Sequence, residues 1–189
     1  MGKVIVIQFV TLDGVVEDPD GSQGTPNGGW AFRRNAEAVA GDKFQLGDVL
    51  DTGVMLLGRT TWQLFAQLFP GRDDAFSRRL NAMEKLVASR SLDRVDAWAN
   101  STLLRGDLVA EVRRRLATQD VIVAGSGGVV DALVAQDLVD QYRLLVIPTV
   151  LGKGRRLFEG AGAAVELDLV SSQDVGGGVL RQIYDRRRS

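Results

Sequence analysis

The chain has 189 residues, of which 45% are hydrophobic and 25% charged, a balance typical of a globular protein with a sizeable core. Its formal net charge of −1 argues against an overall field that would recruit nucleic acid or an acidic membrane. The sequence contains no cysteine and no histidine, which excludes disulfides, thiolate catalysis, Ser-His-Asp triads and His- or Cys-ligated zinc sites.

The apolar runs are too short for a membrane protein. None approaches the ~18 residues of a membrane-spanning helix, and the chain begins in a strand-like run without the layout of a signal peptide. We therefore expect one cytoplasmic domain over residues 1–189, with no nucleic-acid partner, no membrane contact and no metal centre.

The first part of the chain predicts a strand followed by a long loop. Residues 3–10 form a nearly continuous apolar run, typical of a strand buried on both faces. This run ends in the polar turn Thr11-Leu12-Asp13-Gly14. Residues 17–29 are rich in glycine and proline and lack periodicity, and loops of that length are often functional lids. Trp30 and Phe32 follow the loop directly.

The middle of the chain predicts helices alternating with short strands. Apolar residues at helical spacing predict a helix over residues 35–50. A buried strand over residues 53–57 then runs into Gly58-Arg59-Thr60-Thr61, where a helix reaching Phe69 begins. Thr60 or Thr61 would be a natural N-cap for that helix.

Four further elements are predicted before residue 120. A modest helix is predicted over residues 73–83, and a short strand over residues 85–88 ends at Ser89 and Arg90. A brief strand is predicted over residues 97–99, and a well-formed amphipathic helix over residues 107–117.

Residues 120–158 predict a βαβ unit around which the other elements are arranged. Two apolar runs, residues 121–124 and 142–147, flank a segment of helical spacing that opens with Gly125-Ser126-Gly127-Gly128. Residues 165–184 then alternate apolar and polar side chains around a glycine turn, which predicts an antiparallel hairpin. The element order predicts an α/β fold with a mostly parallel central sheet and an antiparallel C-terminal edge.

Three predicted strands end in polar turns: Gly58 to Thr61, Ser89-Arg90, and Gly125 to Gly128. In open α/β sheets ligands bind beyond the carboxyl ends of the strands, and helix N-termini there attract phosphate. Arginines in two of the turns could pair with phosphate. The alternative is that these are ordinary glycine turns with exposed arginines. The turns match neither the Rossmann fingerprint nor a P-loop, since the first strand lacks G-x-G-x-x-G and no Walker A lysine follows the glycines.

Five motifs in chain order resemble the dihydrofolate reductase-like superfamily. The closer resemblance is to the reductase domain at the C-terminus of bifunctional riboflavin-biosynthesis deaminase-reductases (the RibD C-terminal domain) and to its stand-alone relatives. The motifs are Thr11-Leu12-Asp13-Gly14, Leu57-Gly58-Arg59-Thr60-Thr61-Trp62, Ala88-Ser89-Arg90, Gly125-Ser126-Gly127-Gly128 and Pro148-Thr149-Val150-Leu151-Gly152-Lys153-Gly154. Ser126 departs from the pattern, because it stands where the family has the middle glycine of three.

The resemblance implies a three-layer α/β/α fold, NADPH as cofactor and a homodimer. It implies hydride transfer to a small pyrimidine- or pteridine-like heterocycle, as in 5-amino-6-(5-phosphoribosylamino)uracil reductase. Carried over by motif, the Gly58-Arg59-Thr60-Thr61 turn would hold cofactor phosphates and Ser89 with Arg90 the 2′-phosphoadenosine. Gly125, Ser126, Gly127 and Gly128 would hold the pyrophosphate. The alternative function is a non-catalytic NADP(H)- or nucleotide-binding regulatory protein that kept the cofactor cleft and lost turnover.

The proton that accompanies hydride transfer must come from a carboxylic acid, a tyrosine, a lysine or water, because the chain has no histidine. Asp13 is the leading catalytic candidate and would also contact the substrate. Its other role would be that of a turn residue hydrogen-bonded to its own loop. Trp30 and Phe32 could stack on a planar substrate or simply anchor the loop. Arg155 and Arg156 could bind a substrate phosphate or belong to a solvated basic loop.

Overall fold

The computed structural model describes residues 1–33, 36–160, 162 and 164–188. The strands are β1 (Val4–Thr11), β2 (Val54–Gly58), β3 (Glu84–Ala88), β4 (Ser101–Leu104), β5 (Val121–Ala124), β6 (Gln141–Ile147), β7 (Leu167–Asp174) and β8 (Leu180–Arg186). The helices are α1 (Ala36–Val39), α2 (Val49–Thr52), α3 (Arg59–Leu68), α4 (Ala75–Ala82), α5 (Leu108–Arg115) and α6 (Gly127–Val134).

The eight strands form one sheet in the order β4-β3-β2-β5-β1-β6-β8-β7. β2 pairs in parallel with β3 and β5, and β3 pairs in parallel with β4. β8 pairs antiparallel with β6 and β7. The predicted α/β fold, with a mostly parallel sheet and an antiparallel C-terminal edge, is confirmed.

The chain divides into two compact units. The first unit comprises residues 1–6 and 46–139, and the second comprises residues 7–45 and the chain from residue 140 onward. In the first unit, β2 and β5 are buried almost throughout, as their apolar runs predict. Helix α3 contacts β2 and β3, and α6 contacts β2. These contacts place the starts of two helices beside the carboxyl ends of parallel strands.

The single helix predicted over residues 35–50 is wrong. Only α1 and α2 are helical there, and Asn35, the predicted first residue, lies outside the described residues. Between the two helices the backbone takes positive φ at Gly41 (67°), Gln45 (54°) and Gly47 (53°). A right-handed helix cannot continue through the left-handed region, so no single helix spans this segment.

The strand predicted over residues 97–99 is also wrong, since β4 begins at Ser101. Trp98 lies in a turn and is 2% exposed. Its ring stacks on Phe69 at a centroid distance of 5.9 Å, and its Nε1 donates to Asn81 Oδ1 at 2.7 Å. Trp98 therefore packs in the core although it lies in a turn. The apolar pattern of residues 97–99 does not distinguish such a turn from a strand.

Candidate functional site

The strands β2, β3 and β4 of the first unit end at one level. Their register pairs the last residue of β2 with that of β3, and the last residue of β3 with that of β4. The residues that follow, Arg59, Ser89 and Arg105, therefore start from the same sheet edge. Arg59, Arg90 and Arg105 are all exposed. The structure thus adds Arg105, which sequence reasoning missed, to the predicted arginines at this edge.

The turn after β3 is held by its own polar groups. The Ser89 hydroxyl accepts hydrogen bonds from the N–H groups of Ser91 (3.2 Å) and Leu92 (3.0 Å). Arg105 Nη2 donates to the carbonyl oxygen of Asp93 at 2.9 Å, which ties the end of β4 to the same turn. Arg105 could have been found from sequence if β4 had been placed at residues 101–104 instead of 97–99.

The turn after β5 contains a serine in the left-handed region. Gly125 has φ 56°, and Ser126 has φ 51° and ψ 52°. The Ser126 hydroxyl accepts a hydrogen bond from Gly58 N–H at 2.8 Å and donates one to the Ala124 carbonyl oxygen at 2.8 Å. Ser126 N–H donates to Thr61 Oγ1 at 3.2 Å. The β2–α3 and β5–α6 corners are thereby joined, as expected for turns that act together.

These contacts correct the predicted cap of α3. Its N-cap is Gly58, without a side-chain hydrogen bond, and not Thr60 or Thr61. The Thr61 hydroxyl faces the neighbouring turn instead, where it accepts from Ser126.

The first turn of α6 presents backbone donors. Val129 N–H and Val130 N–H both donate to the Ser126 carbonyl oxygen, at 2.8 and 3.1 Å. The N–H groups of Gly127 and Gly128 donate to no other described residue. Two unpaired N–H groups at a helix N-terminus, beside the positive end of the helix dipole, favour an anionic group such as phosphate.

In the second unit, Asp13 is enclosed by hydrogen-bond donors. Its Oδ1 accepts from Thr11 Oγ1 at 2.7 Å and from Leu151 N–H at 3.2 Å, and its Oδ2 accepts from Gly152 N–H at 2.8 Å. Arg156 Nε donates to the Asp13 carbonyl oxygen at 3.1 Å. The hydroxyl of Thr11 and the N–H of Gly152 lower the Asp13 pKa to about 2.

Asp13 is thus a carboxylate at neutral pH that joins the turn after β1 to the loop after β6. Its side chain is 20% exposed, so a substrate could still reach it. The contacts favour the role of a turn residue bonded to neighbouring loops. The acid role stays a prediction, because it requires a protonated form that these donors disfavour.

The two aromatic residues after the long loop differ in burial. Trp30 is 1% exposed and its Nε1 donates to the Glu17 carbonyl oxygen at 2.7 Å, which supports an anchoring role. Phe32 is 43% exposed, with its ring 5.9 Å from that of Phe9. Of these two residues, only Phe32 is exposed enough to stack on a substrate. The loop itself is organised by the buried Asp18, whose carboxylate accepts from two backbone N–H groups and a threonine hydroxyl.

The basic loop after β6 contributes a structural arginine. Arg156 donates to the carbonyl oxygens of Asp13 and Gly152, at 3.1 and 3.3 Å.

Among the described residues no group of three acidic side chains is placed to hold a metal ion. No helix in the described ranges is long and apolar enough to cross a membrane.

The sequence was compared with protein families and with known proteins. A family model described as the RibD C-terminal domain matches residues 2–181. The uncharacterized protein YyaP of Bacillus subtilis (strain 168) is 25% identical over 194 residues, which covers 96% of this chain and 94% of that protein.

Solved structures show the same fold. A candidate riboflavin biosynthesis protein from Shewanella sp. PV-4 superposes with a TM-score of 0.72 at 20% identity, covering 98% of this chain and 99% of that one. A pyrimidine reductase-like protein from Corynebacterium diphtheriae gives 0.66 at 10% identity, covering 100% and 93%. Acinetobacter baumannii RibD gives 0.61 at 15% identity, and the match covers all of this chain and 59% of that chain. The chain belongs to the RibD C-terminal domain family, a reductase family of the riboflavin-pathway type.

Proposed function

We propose that the protein is an NADPH-dependent reductase that transfers a hydride to a small pyrimidine- or pteridine-like heterocycle. The observation that carries this proposal is the pair of joined strand–helix corners in the first unit, where Ser126 contacts both Gly58 and Thr61. Two helix N-termini held side by side suit the two phosphates of a dinucleotide. Family membership supports the same reading.

Each corner has a proposed part in cofactor binding. The N–H groups of Gly127 and Gly128 would donate hydrogen bonds to the pyrophosphate. Arg59 and Thr60, at the start of α3, would bind the cofactor phosphates from the neighbouring corner. Ser89 and Arg90 would meet the 2′-phosphoadenosine, with Arg105 starting from the same sheet edge. NADPH supplies the hydride when bound, while the protein orients the acceptor carbon and supplies the proton.

The direct test is calorimetric titration of the purified protein with NADPH and NADH. We expect NADPH to bind and NADH to bind more weakly. Oxidation of bound NADPH would then be followed with pyrimidine and pteridine acceptors, including 5-amino-6-(5-phosphoribosylamino)uracil, which is itself the deaminated pyrimidine. Indifference to both reduced nucleotides would end the proposal.

Replacing Arg90 by alanine should weaken NADPH about 10- to 100-fold and leave NADH unchanged, because a charge-assisted hydrogen bond to phosphate contributes roughly 1.5–3 kcal/mol. Arg113→Ala, which removes an exposed arginine from α5, is the matched control and should change neither affinity. Equal losses for the two nucleotides would remove Arg90 from the 2′-phosphate site.

A second function is favoured by the state of Asp13. Three hydrogen-bond donors hold its carboxylate to the neighbouring loops, an anchoring role that would survive in a protein that binds NADP(H) without turning it over. Tight NADPH binding with no oxidation by any acceptor tested would select this non-catalytic alternative.

We also propose a homodimer, a cytoplasmic location and a single domain over residues 1–189. The family match, which runs through both units, supports the single domain.

The outermost strand β7 carries two exposed apolar side chains, Leu169 (56%) and Val170 (57%), which a partner copy would cover. The wild type should sediment at twice the chain mass, and Leu169→Lys with Val170→Lys should sediment as a monomer. A monomeric wild type would contradict the dimer.

A further inference from the structure

We infer that Ser126 is a positioning residue, which fixes the spacing of the two phosphate-binding corners and does not itself bind phosphate. This inference rests on the proposed NADPH function. It starts from the unusual backbone at Ser126, whose φ of 51° and ψ of 52° lie in the left-handed region. Glycine is the residue that adopts this conformation without steric cost. A serine here is therefore strained unless its side chain compensates.

The compensation is visible in the contacts of the hydroxyl. Its single proton is donated to the Ala124 carbonyl oxygen at 2.8 Å, so it has no proton left for a phosphate oxygen. Its lone pair accepts from Gly58 N–H at 2.8 Å, across 68 residues of sequence. Both hydrogen bonds of the hydroxyl are thus made within the protein, to residues at the ends of the adjacent strands β2 and β5.

A second hydrogen bond runs between the same two corners. Ser126 N–H donates to Thr61 Oγ1 at 3.2 Å, and Thr61 lies in the first turn of α3. The packing there is tight, because a Cβ on Gly125 would lie 3.1 Å from the same Thr61 oxygen. Ser126 therefore contacts the end of β2 through its side chain and the start of α3 through its backbone.

The two hydrogen bonds from Ser126 to Gly58 and Thr61 form a brace between the corners, and this brace affects a ligand that binds both of them. The free N–H groups of Gly127 and Gly128 follow Ser126 directly, so their distance from α3 is set by the two bonds. A cradle that is already ordered loses less conformational entropy when a pyrophosphate binds. A ligand that uses only the turn after β3 would gain nothing from the brace.

The test measures binding of NADPH and of adenosine 2′-monophosphate by calorimetry. Ser126→Ala keeps the Cβ but removes the hydroxyl that compensates for the left-handed backbone, and it should weaken NADPH about tenfold. Thr61→Val removes the other acceptor and should act in the same direction. Because both act through one brace, the double variant should lose clearly less than the product of the single losses. Adenosine 2′-monophosphate, which would contact the turn after β3 and neither of the two joined corners, should bind all variants within about twofold of wild type.

Asn100→Ala is the matched control. Asn100 also has positive φ, and its side chain donates two hydrogen bonds, to the carbonyl oxygens of Asn81 and Ala82, at the opposite end of β4. It should leave NADPH affinity unchanged. If wild-type protein binds NADPH and Ser126→Ala binds it equally well, or if Asn100→Ala loses as much, the positioning role is overturned and the proposed function stands. If wild-type protein binds no NADPH, the proposed function itself falls, and the role of Ser126 with it.

Discussion

The stability of this protein is expected to rise between pH 7 and pH 10, and Lys85→Met is expected to remove most of that rise. Lys85 is a fully buried lysine on β3. Its Nζ donates to the carbonyl oxygens of Asn81 (2.7 Å) and Ala99 (2.9 Å) and lies 4.3 Å from the centre of the Trp98 ring. All three contacts are with neutral groups. Among the described residues no carboxylate pairs with Lys85, and burial lowers its pKa from 10.5 to about 8.

The direction of the effect follows from the two states of the chain. Below about pH 8 the lysine is charged in the folded and in the unfolded protein, and burying the charge reduces the free energy of unfolding. As pH rises further, the folded protein releases the proton first, so the unfolded chain binds more protons and stability increases. Each pH unit within this window is worth roughly 1.4 kcal/mol, which gives a gain of about 2–3 kcal/mol between pH 7 and pH 10.

Urea unfolding at a series of pH values measures this gain. Methionine preserves the unbranched shape of Lys85 without the charge, so the variant should show a nearly flat profile. Lys153→Met removes an exposed lysine and should keep the wild-type slope. A wild-type profile without a rise, or a Lys85→Met variant that keeps it, would contradict the buried-charge explanation.

The parts of the fold that sequence predicts well are those determined by local pattern. β2 and β5 were predicted to within one residue, because a short apolar run between polar turns has few other interpretations. The region between α1 and α2 was not, because long-range contacts determine it. Arg143 Nη1 donates to the Gln45 carbonyl oxygen, and Arg181 Nη1 donates to that of Lys43 at 3.4 Å. Contacts 98 and 138 residues apart leave no signature in the helical periodicity of residues 35–50.

The candidate site shows the same division. Sequence located the strand-end turns that carry Arg59, Arg90 and Ser126, because glycine and polar residues after apolar runs mark them. It did not indicate the direction of the Ser126 hydroxyl, since a side chain that could donate to phosphate instead donates to Ala124. Arg105 was missed because the apolar Trp98, a core residue in a turn, led to a strand prediction over residues 97–99 instead of 101–104.

Asp13→Asn is expected to reduce turnover at least 100-fold, either because it removes a positioned acid, which typically contributes that much, or because it releases the loop that Asp13 anchors, while NADPH affinity stays within about twofold. The residues proposed to hold the cofactor phosphates belong to the first unit, and Asp13 belongs to the second. Asp174→Asn is the matched control, because Asp174 also accepts a backbone N–H, from Gly176 at 2.7 Å, in a turn of the second unit. That variant should keep full turnover. Wild-type activity in Asp13→Asn would exclude both an acid role and an essential anchoring role.

Amide hydrogen exchange separates the two roles of Asp13, because they depend on opposite charge states. As an anchor, the carboxylate holds the N–H groups of Leu151 and Gly152, and an asparagine NH₂ facing either donor would speed their exchange. As an acid, Asp13 must gain a proton in the substrate complex, so kcat should fall as pH rises through a raised pKa. That limb should be absent if Asp13 keeps its pKa of about 2. Lost turnover with faster exchange and no such limb identifies an anchor, and lost turnover with unchanged exchange and a limb in the wild type identifies the acid.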